Sequence, residues 1–215
     1  MSSKFLFFPL LFLTPILYTQ NSDWILSSEK DDMKVYFRES SDSKVKELKF
    51  TFTVNSTLSA IVSVLDDVEN YSKWVYKLDN SKILKKVNEN EMFYYNLMDF
   101  PWPLSDRDMI GYSRTFQNPN TKIVTSHTLG RASYLDEKED IVRIKTVEIK
   151  YIMKPNNNGS VTIDYYLKSD PAGNLPSWLV NLALEHGPTE TIKEFRKLLA
   201  SEPYKSASVP YITEQ

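Results

Sequence analysis

The sequence predicts an α+β fold in which a strongly curved antiparallel sheet is covered by one long C-terminal helix. Three observations carry this. Between Ser81 and Lys168, alternating apolar and polar runs follow one another with only short polar turns between them. Between Asp170 and Leu199, Leu175, Trp178, Leu179, Leu182 and Ala183, then Ile192, Phe195, Leu198 and Leu199, recur at the i, i+3, i+4 spacing of one helix face. Finally, 13 Tyr, 11 Phe and 4 Trp against only 5 Gly favour a wide, ring-lined sheet over a loop-rich scaffold. A chain of 215 residues is long enough for one domain with a real core and short for two.

Residues 1–20 are set apart from the rest. A single early lysine, Lys4, precedes the apolar block Phe5 to Leu17, the pattern of a secretory signal peptide. The block is short of the ~20 residues a membrane span needs and is interrupted by Pro9 and Pro15. Export, to a periplasm or outside the cell, is therefore expected, with an uncleaved membrane anchor as the alternative. The folded domain is expected over residues 22–200, and 201–215 as a tail.

Within the domain, Ser22 to Glu29 reads as a short helix and Met33 to Arg38 as a first strand. In Lys46 to Val54, Leu48, Phe50, Phe52 and Val54 alternate with polar residues, so one face is buried. Asn55-Ser56-Thr57 is an N-cap cluster ahead of Leu58, Ile61, Val62 and Leu65, and a second helical segment is expected over Val68 to Leu78. Further strands are expected at Lys82 to Val87, Met92 to Met98, Arg107 to Phe116, Lys122 to Leu129, Ile141 to Met153 and Ser160 to Lys168. The inward phase of Ile141 to Met153 slips, which predicts a bulge near Lys145. The Asn158-Gly159 pair suits a hairpin turn. Gly187-Pro188 predicts a kink or break in the closing helix, with Thr189 or Thr191 restarting it.

Composition excludes several classes. With no cysteine there is no disulfide, thiolate nucleophile or Cys-ligated metal, and with only two histidines, His127 and His186, 59 positions apart, a metal site would need carboxylates for most of its ligation. No metal or other cofactor is expected. A net charge of -2 with no basic run argues against a nucleic-acid partner. There is no G-x-S-x-G elbow and no glycine-rich phosphate loop. Both Asn-x-Ser/Thr sequons, at Asn55 and Asn158, are explained by a helix cap and a turn.

Three segments give a family resemblance. Phe100 to Asp108, FPWPLSDRD, resembles the PWPLSxRD segment of START domains, the lipid-transfer modules related to the steroidogenic acute regulatory protein. Ile141 to Lys145 is similar to the VR-containing strand of that family. Asp170 to Asn181, DPAGNLPSWLVN, resembles its entry into the last helix. The resemblance spans roughly Trp24 to Leu199. It implies a helix-grip fold with an internal apolar cavity for one lipid, the loop Ser133 to Asp140 and the closing helix acting as lid. Ser113 stands where the cholesterol-carrying branch has a buried Arg, so sterol is not carried over as the ligand.

On this reading the protein is a non-enzymatic, monomeric binder of a lipid or other hydrophobic small molecule, for transfer or sensing. The alternative is a helix-grip cyclase or hydrolase-like enzyme acting on an aromatic or polyketide-like substrate through Arg143, Tyr94 or Tyr151. Cavity or lid positions are expected for Trp74, Tyr94, Met98, Trp102, Arg143, Tyr151, Trp178 and Leu182. For Arg107 and Asp108, an ion pair stabilising a turn is favoured over a headgroup contact. Arg143, set between apolar residues, either points inward with a partner or sits solvated at the sheet end, since an unpaired buried charge is costly. Transient membrane contact at the lid stays open, with no basic amphipathic helix to announce it.

Overall fold

The computed structural model describes residues 24–40, 45–173, 175 and 186–215. Among them ten strands form one sheet: β1 Ile25–Lys30, β2 Met33–Arg38, β3 Glu47–Val54, β4 Leu78–Asn88, β5 Glu91–Met98, β6 Arg107–Gln117, β7 Val124–Gly130, β8 Val142–Arg143, β9 Thr146–Pro155 and β10 Val161–Asp170. The order is β1-β2-β3-β10-β9-β7-β6-β5-β4, with neighbours antiparallel, while β8 pairs parallel to β6. Helices α1 (Leu58–Asp66) and α2 (Gly187–Leu199) lie against the concave face. This is the expected α+β, helix-grip arrangement of a curved sheet around a C-terminal helix.

Period-2 alternation places the core. On β3, Leu48, Phe50, Phe52 and Val54 are all buried. In register across the ladder, Phe52 faces Ile163 and Phe50 faces Tyr165 of β10. Ile61, Val62 and Val64 of α1 and Ile192, Phe195 and Leu199 of α2 fill the space between. Pro188 falls in the first turn of α2, where its missing N–H breaks no bond, so the expected interruption is a helix start. Thr191 does not cap α2; its hydroxyl accepts from Tyr76 N at 3.0 Å.

Four expectations are corrected. Residues from Ile25 form a strand and not a helix, because Asp31 and Asp32 take φ of 52° and 57° and make a two-residue hairpin turn into β2. The helix expected over Val68 to Leu78 is a 3-10 turn, Val68–Lys73, and Leu78 already begins β4. Ile141 to Met153 is two strands rather than one bulged strand: Val142 and Arg143 pair with Arg107 and Asp108 of β6, after which β9 crosses to β7 and β10.

The fourth concerns residues 201–215, expected as a tail. Tyr204, Val209 and Ile212 are buried in the main core. The Glu214 carboxylate accepts from Leu58 N at 2.9 Å and Ser59 N at 2.8 Å, and Thr57 Oγ1 accepts from Ala60 N at 3.1 Å. Three otherwise orphaned N–H groups at the start of α1 are thereby satisfied, two of them by an anion that suits the helix dipole. At the other end of α1, Tyr204 donates to Asp67 Oδ2 at 2.5 Å and Tyr211 donates to Asp66 Oδ2. The segment is a strap along α1.

Candidate functional site

Beyond the packed core, the concave face encloses a cavity of about 260 Å³. Its walls follow from strand parity. Tyr94, Asn96 and Met98 are alternate residues of β5, as are Val147, Ile149 and Tyr151 of β9 and Tyr165, Leu167 and Ser169 of β10. Met109 and Ser113 come from β6, and Ser126 and Thr128 from β7. Tyr71 and Trp74 of the 3-10 turn, with Gly187, Pro188 and Thr191 of α2, close the other side. One backbone feature is needed to fit Tyr94. A Cβ on Gly111, its direct cross-strand partner, would come within 2.8 Å of the Tyr94 ring, so glycine lets the ring lie flat across β6.

The polar groups facing this space are neutral. Among the described lining residues none is charged. Tyr94 donates to Thr128 Oγ1 at 3.4 Å, Tyr71 donates to the Leu65 carbonyl, and the Tyr151 and Tyr165 rings stack at 4.6 Å. Burial pushes the Tyr94 phenol up to about 12 and raises Tyr71, Tyr151 and Tyr165 further, so all four stay protonated at physiological pH. Among the described residues three buried polar side-chain atoms have no hydrogen-bond partner, and two of them are Trp74 Nε1, a donor, and Asn96 Oδ1, an acceptor. Both belong to lining residues. Orphaned groups of this kind are rare and costly, and a ligand that hydrogen-bonds them relieves that cost.

Of the residues singled out from sequence, Trp74, Tyr94, Met98 and Tyr151 line the cavity. Trp178 and Leu182 lie outside the described residues. Trp102 is corrected: its ring is 92% exposed in the β5–β6 loop, because Pro101 and Pro103 hold it off both strands. Arg143 is corrected as well. Its side chain and that of Asp108 are each 1% exposed, and they form a two-pronged pair with Nε to Oδ1 at 2.5 Å and Nη2 to Oδ2 at 3.1 Å. The remaining N–H groups donate to the carbonyls of Ala132 (2.6 Å), Leu135 (2.9 Å) and Asp136 (3.1 Å). All five guanidinium donors are used, and the loop after β7 is pinned to β6.

This also corrects the expected Arg107–Asp108 pair, since adjacent strand residues point to opposite faces and Asp108 is taken by Arg143. His127 is structural, with Nε2 at 2.7 Å from Glu148 Oε1 on the neighbouring strand. Thr57 and Asn158 act as a cap and a turn, as expected: Asn158 Oδ1 accepts from Ser160 N at 3.2 Å and Ser160 Oγ at 2.7 Å. Sequence reasoning missed Asn96, Ser126, Thr128 and Tyr165. Asn96 was within reach, because it stands between Tyr94 and Met98 on the same strand face.

Comparison with known proteins decides the family. The START domain model matches residues 17–204. The chain belongs to the START-domain family. It is 25% identical over 174 residues to the uncharacterised Pseudomonas aeruginosa protein PA1579, covering 81% of this chain and 85% of that protein. Mouse phosphatidylcholine transfer protein is 22% identical over 182 residues, covering 82% and 83%. Among solved structures, a STAR-related lipid transfer protein fragment from Xanthomonas axonopodis superposes with a TM-score of 0.75 at 25% identity, over 83% of this chain and 99% of that one. Human STARD10 gives 0.73 at 20% identity over 84% and 74%, a likeness of fold. START-domain relatives are lipid-binding and lipid-transfer proteins.

Proposed function

We propose that this START domain binds one lipid or similarly hydrophobic molecule in its cavity and carries or senses it without covalent chemistry. The observation that carries the reading is the wall itself: a concave space lined by aliphatic and aromatic side chains with a few converging neutral polar groups, the composition of small-molecule sites. Trp74 Nε1 and Asn96 Oδ1 would take the ligand's own acceptor and donor. Similarity to the Xanthomonas lipid transfer protein supports the same reading.

Absence of catalysis is supported by the phenols. General acid–base work needs a group poised near the working pH, and burial moves these tyrosines the wrong way. Native mass spectrometry of the purified chain is expected to show a single hydrophobic molecule bound per protein. A chain that is empty and also fails to move fluorescent lipid between vesicles would overturn the proposal. Export rests on the apolar block of residues 5–17, and monomeric action outside the cytoplasm is part of the proposal. Cytosolic protein that retains residues 1–20 would overturn the export reading.

A further inference from the structure

The structure holds a second buried arginine whose situation is the reverse of Arg143's. Arg107 is 3% exposed, yet among the described residues no carboxylate lies in ion-pair range of it. Nη1 donates to the Ser105 carbonyl, Nε is buried without an acceptor, and the guanidinium carbon lies 4.3 Å from the centre of the Phe100 ring. Desolvation pulls its pKa down, and the Asp106 carboxylate, outside ion-pair range, offsets only part of that.

Its position gives that isolation a meaning. Arg107 shares a strand face with Met109 and is paired in register with Met98. Phe100 beneath it, Met98 and Met109 all line the cavity. On its far side, Arg107 Nη2 is 3.8 Å from where a Cβ of Gly173 would lie, and Gly173 stands between the lining residues Pro171 and Leu175. A side chain larger than hydrogen at Gly173 would also be strained, since its φ is +74°. The guanidinium therefore lies directly behind lining residues of an uncharged cavity, not itself among them, with its Nε donor unused.

We infer that Arg107 is the anchor for an oxyanion at the cavity rim, and that the ligand is an anionic amphiphile whose apolar body lies along the neutral wall. A buried cation without a partner is expensive to keep, and a carboxylate or phosphate is the group that offsets the cost, through charge-assisted hydrogen bonds to the guanidinium fork. The inference rests on the lipid-binding reading above and names the chemistry of the polar end.

The test uses three small probes on the full chain stripped of any co-purified ligand: dodecanoate, dodecanol and acetate, each titrated calorimetrically. Dodecanoate is expected to bind at least about tenfold tighter than dodecanol, the scale of a charge-assisted hydrogen bond. Acetate is expected to show no measurable binding. Arg107→Gln should remove the preference for dodecanoate while leaving dodecanol affinity within about twofold, and Arg107→Lys should retain part of it. If dodecanol binds as well as dodecanoate to the unaltered chain, the anion anchor is wrong while lipid binding stands. Acetate matching dodecanoate would reassign Arg107 to free anions and overturn the amphiphile. Arg107→Gln losing both twelve-carbon probes equally would make the residue structural. Failure of both to bind the unaltered chain would overturn this inference together with the lipid-binding reading.

Discussion

Two ends of one concave face are built from the same strands and filled differently. Along β10, Ile163 is fully buried against Phe52 and Met153, and only four residues on, on the same face, Leu167 borders the cavity. The packed end is closed by α1, α2 and the strap of residues 201–215. At the hollow end, the described residues that face the strands from the other side are those of a 3-10 turn, Trp74 after it, and the first turns of α2. The difference teaches that large side chains can bound a hollow as well as fill a core, since Tyr, Met, Ile and Leu are among its walls. The loop beside it must then be held by something other than apolar packing, and Arg143 does this.

The largest effect should come from that clamp. Arg143→Ala leaves the Asp108 carboxylate buried and alone, and is expected to lower stability by about 3–5 kcal/mol in a urea titration. A loss below about 1 kcal/mol would mean the loop after β7 is held by its own packing. Next, Ile163→Ala should cost about 2–5 kcal/mol, the range for deleting a packed aliphatic side chain. Leu167→Ala should cost no more than about half as much, because part of its surroundings is already empty. Equal losses at the two positions would erase the distinction between the ends.

A smaller effect is expected at the strap. Glu214→Ala should destabilise by about 1 kcal/mol and speed amide exchange at Leu58 and Ser59, the two N–H groups it accepts from. Unchanged exchange there would show that the cap is dispensable. A further effect is in pH dependence. Burial raises Asp66 to about 6, above its unfolded value near 4, so its ionisation opposes folding. The associated stability is present below about pH 4 and lost as pH rises through about 6. Asp66→Asn should therefore look least harmful relative to the unaltered chain near pH 7 and become comparatively worse toward pH 4, read as the difference between two melting curves. A constant difference over that window would place Asp66 in water.

Much of the packed end was legible in the sequence because it rests on local periodicity. The alternation from Leu48 to Val54 and the stripe of Leu58, Ile61, Val62 and Leu65 each predict a buried face, and each is buried. The hollow end was legible only in part. Tyr94 and Tyr151 could be chosen by type and parity, but Trp102 could not be placed, since its environment depends on where a proline-flanked loop leaves the sheet. In sequence Arg107 stands between Asp106 and Asp108 and Arg143 between Val142 and Ile144, yet it is Arg143 that holds the buried ion pair. What separates them is a parallel two-residue pairing of β8 with β6, which hands Asp108 to Arg143, and no periodicity encodes it. Residues 201–215 were misread for the same reason: their partners lie far away in the chain.

The strap also sets an order of events during synthesis. The bonds from Leu58 and Ser59 to Glu214 span 156 and 155 positions of sequence, so until almost the whole domain has been made the start of α1 has only its local Thr57 cap. Contacts of such long range form late and slowly. A nascent chain that has completed β1 to β7 would hold α1 with the Leu58 and Ser59 N–H groups unpaired, and with the apolar surface later covered by Tyr204, Val209 and Ile212 still bare. That is the interval in which a chaperone would find the most to hold.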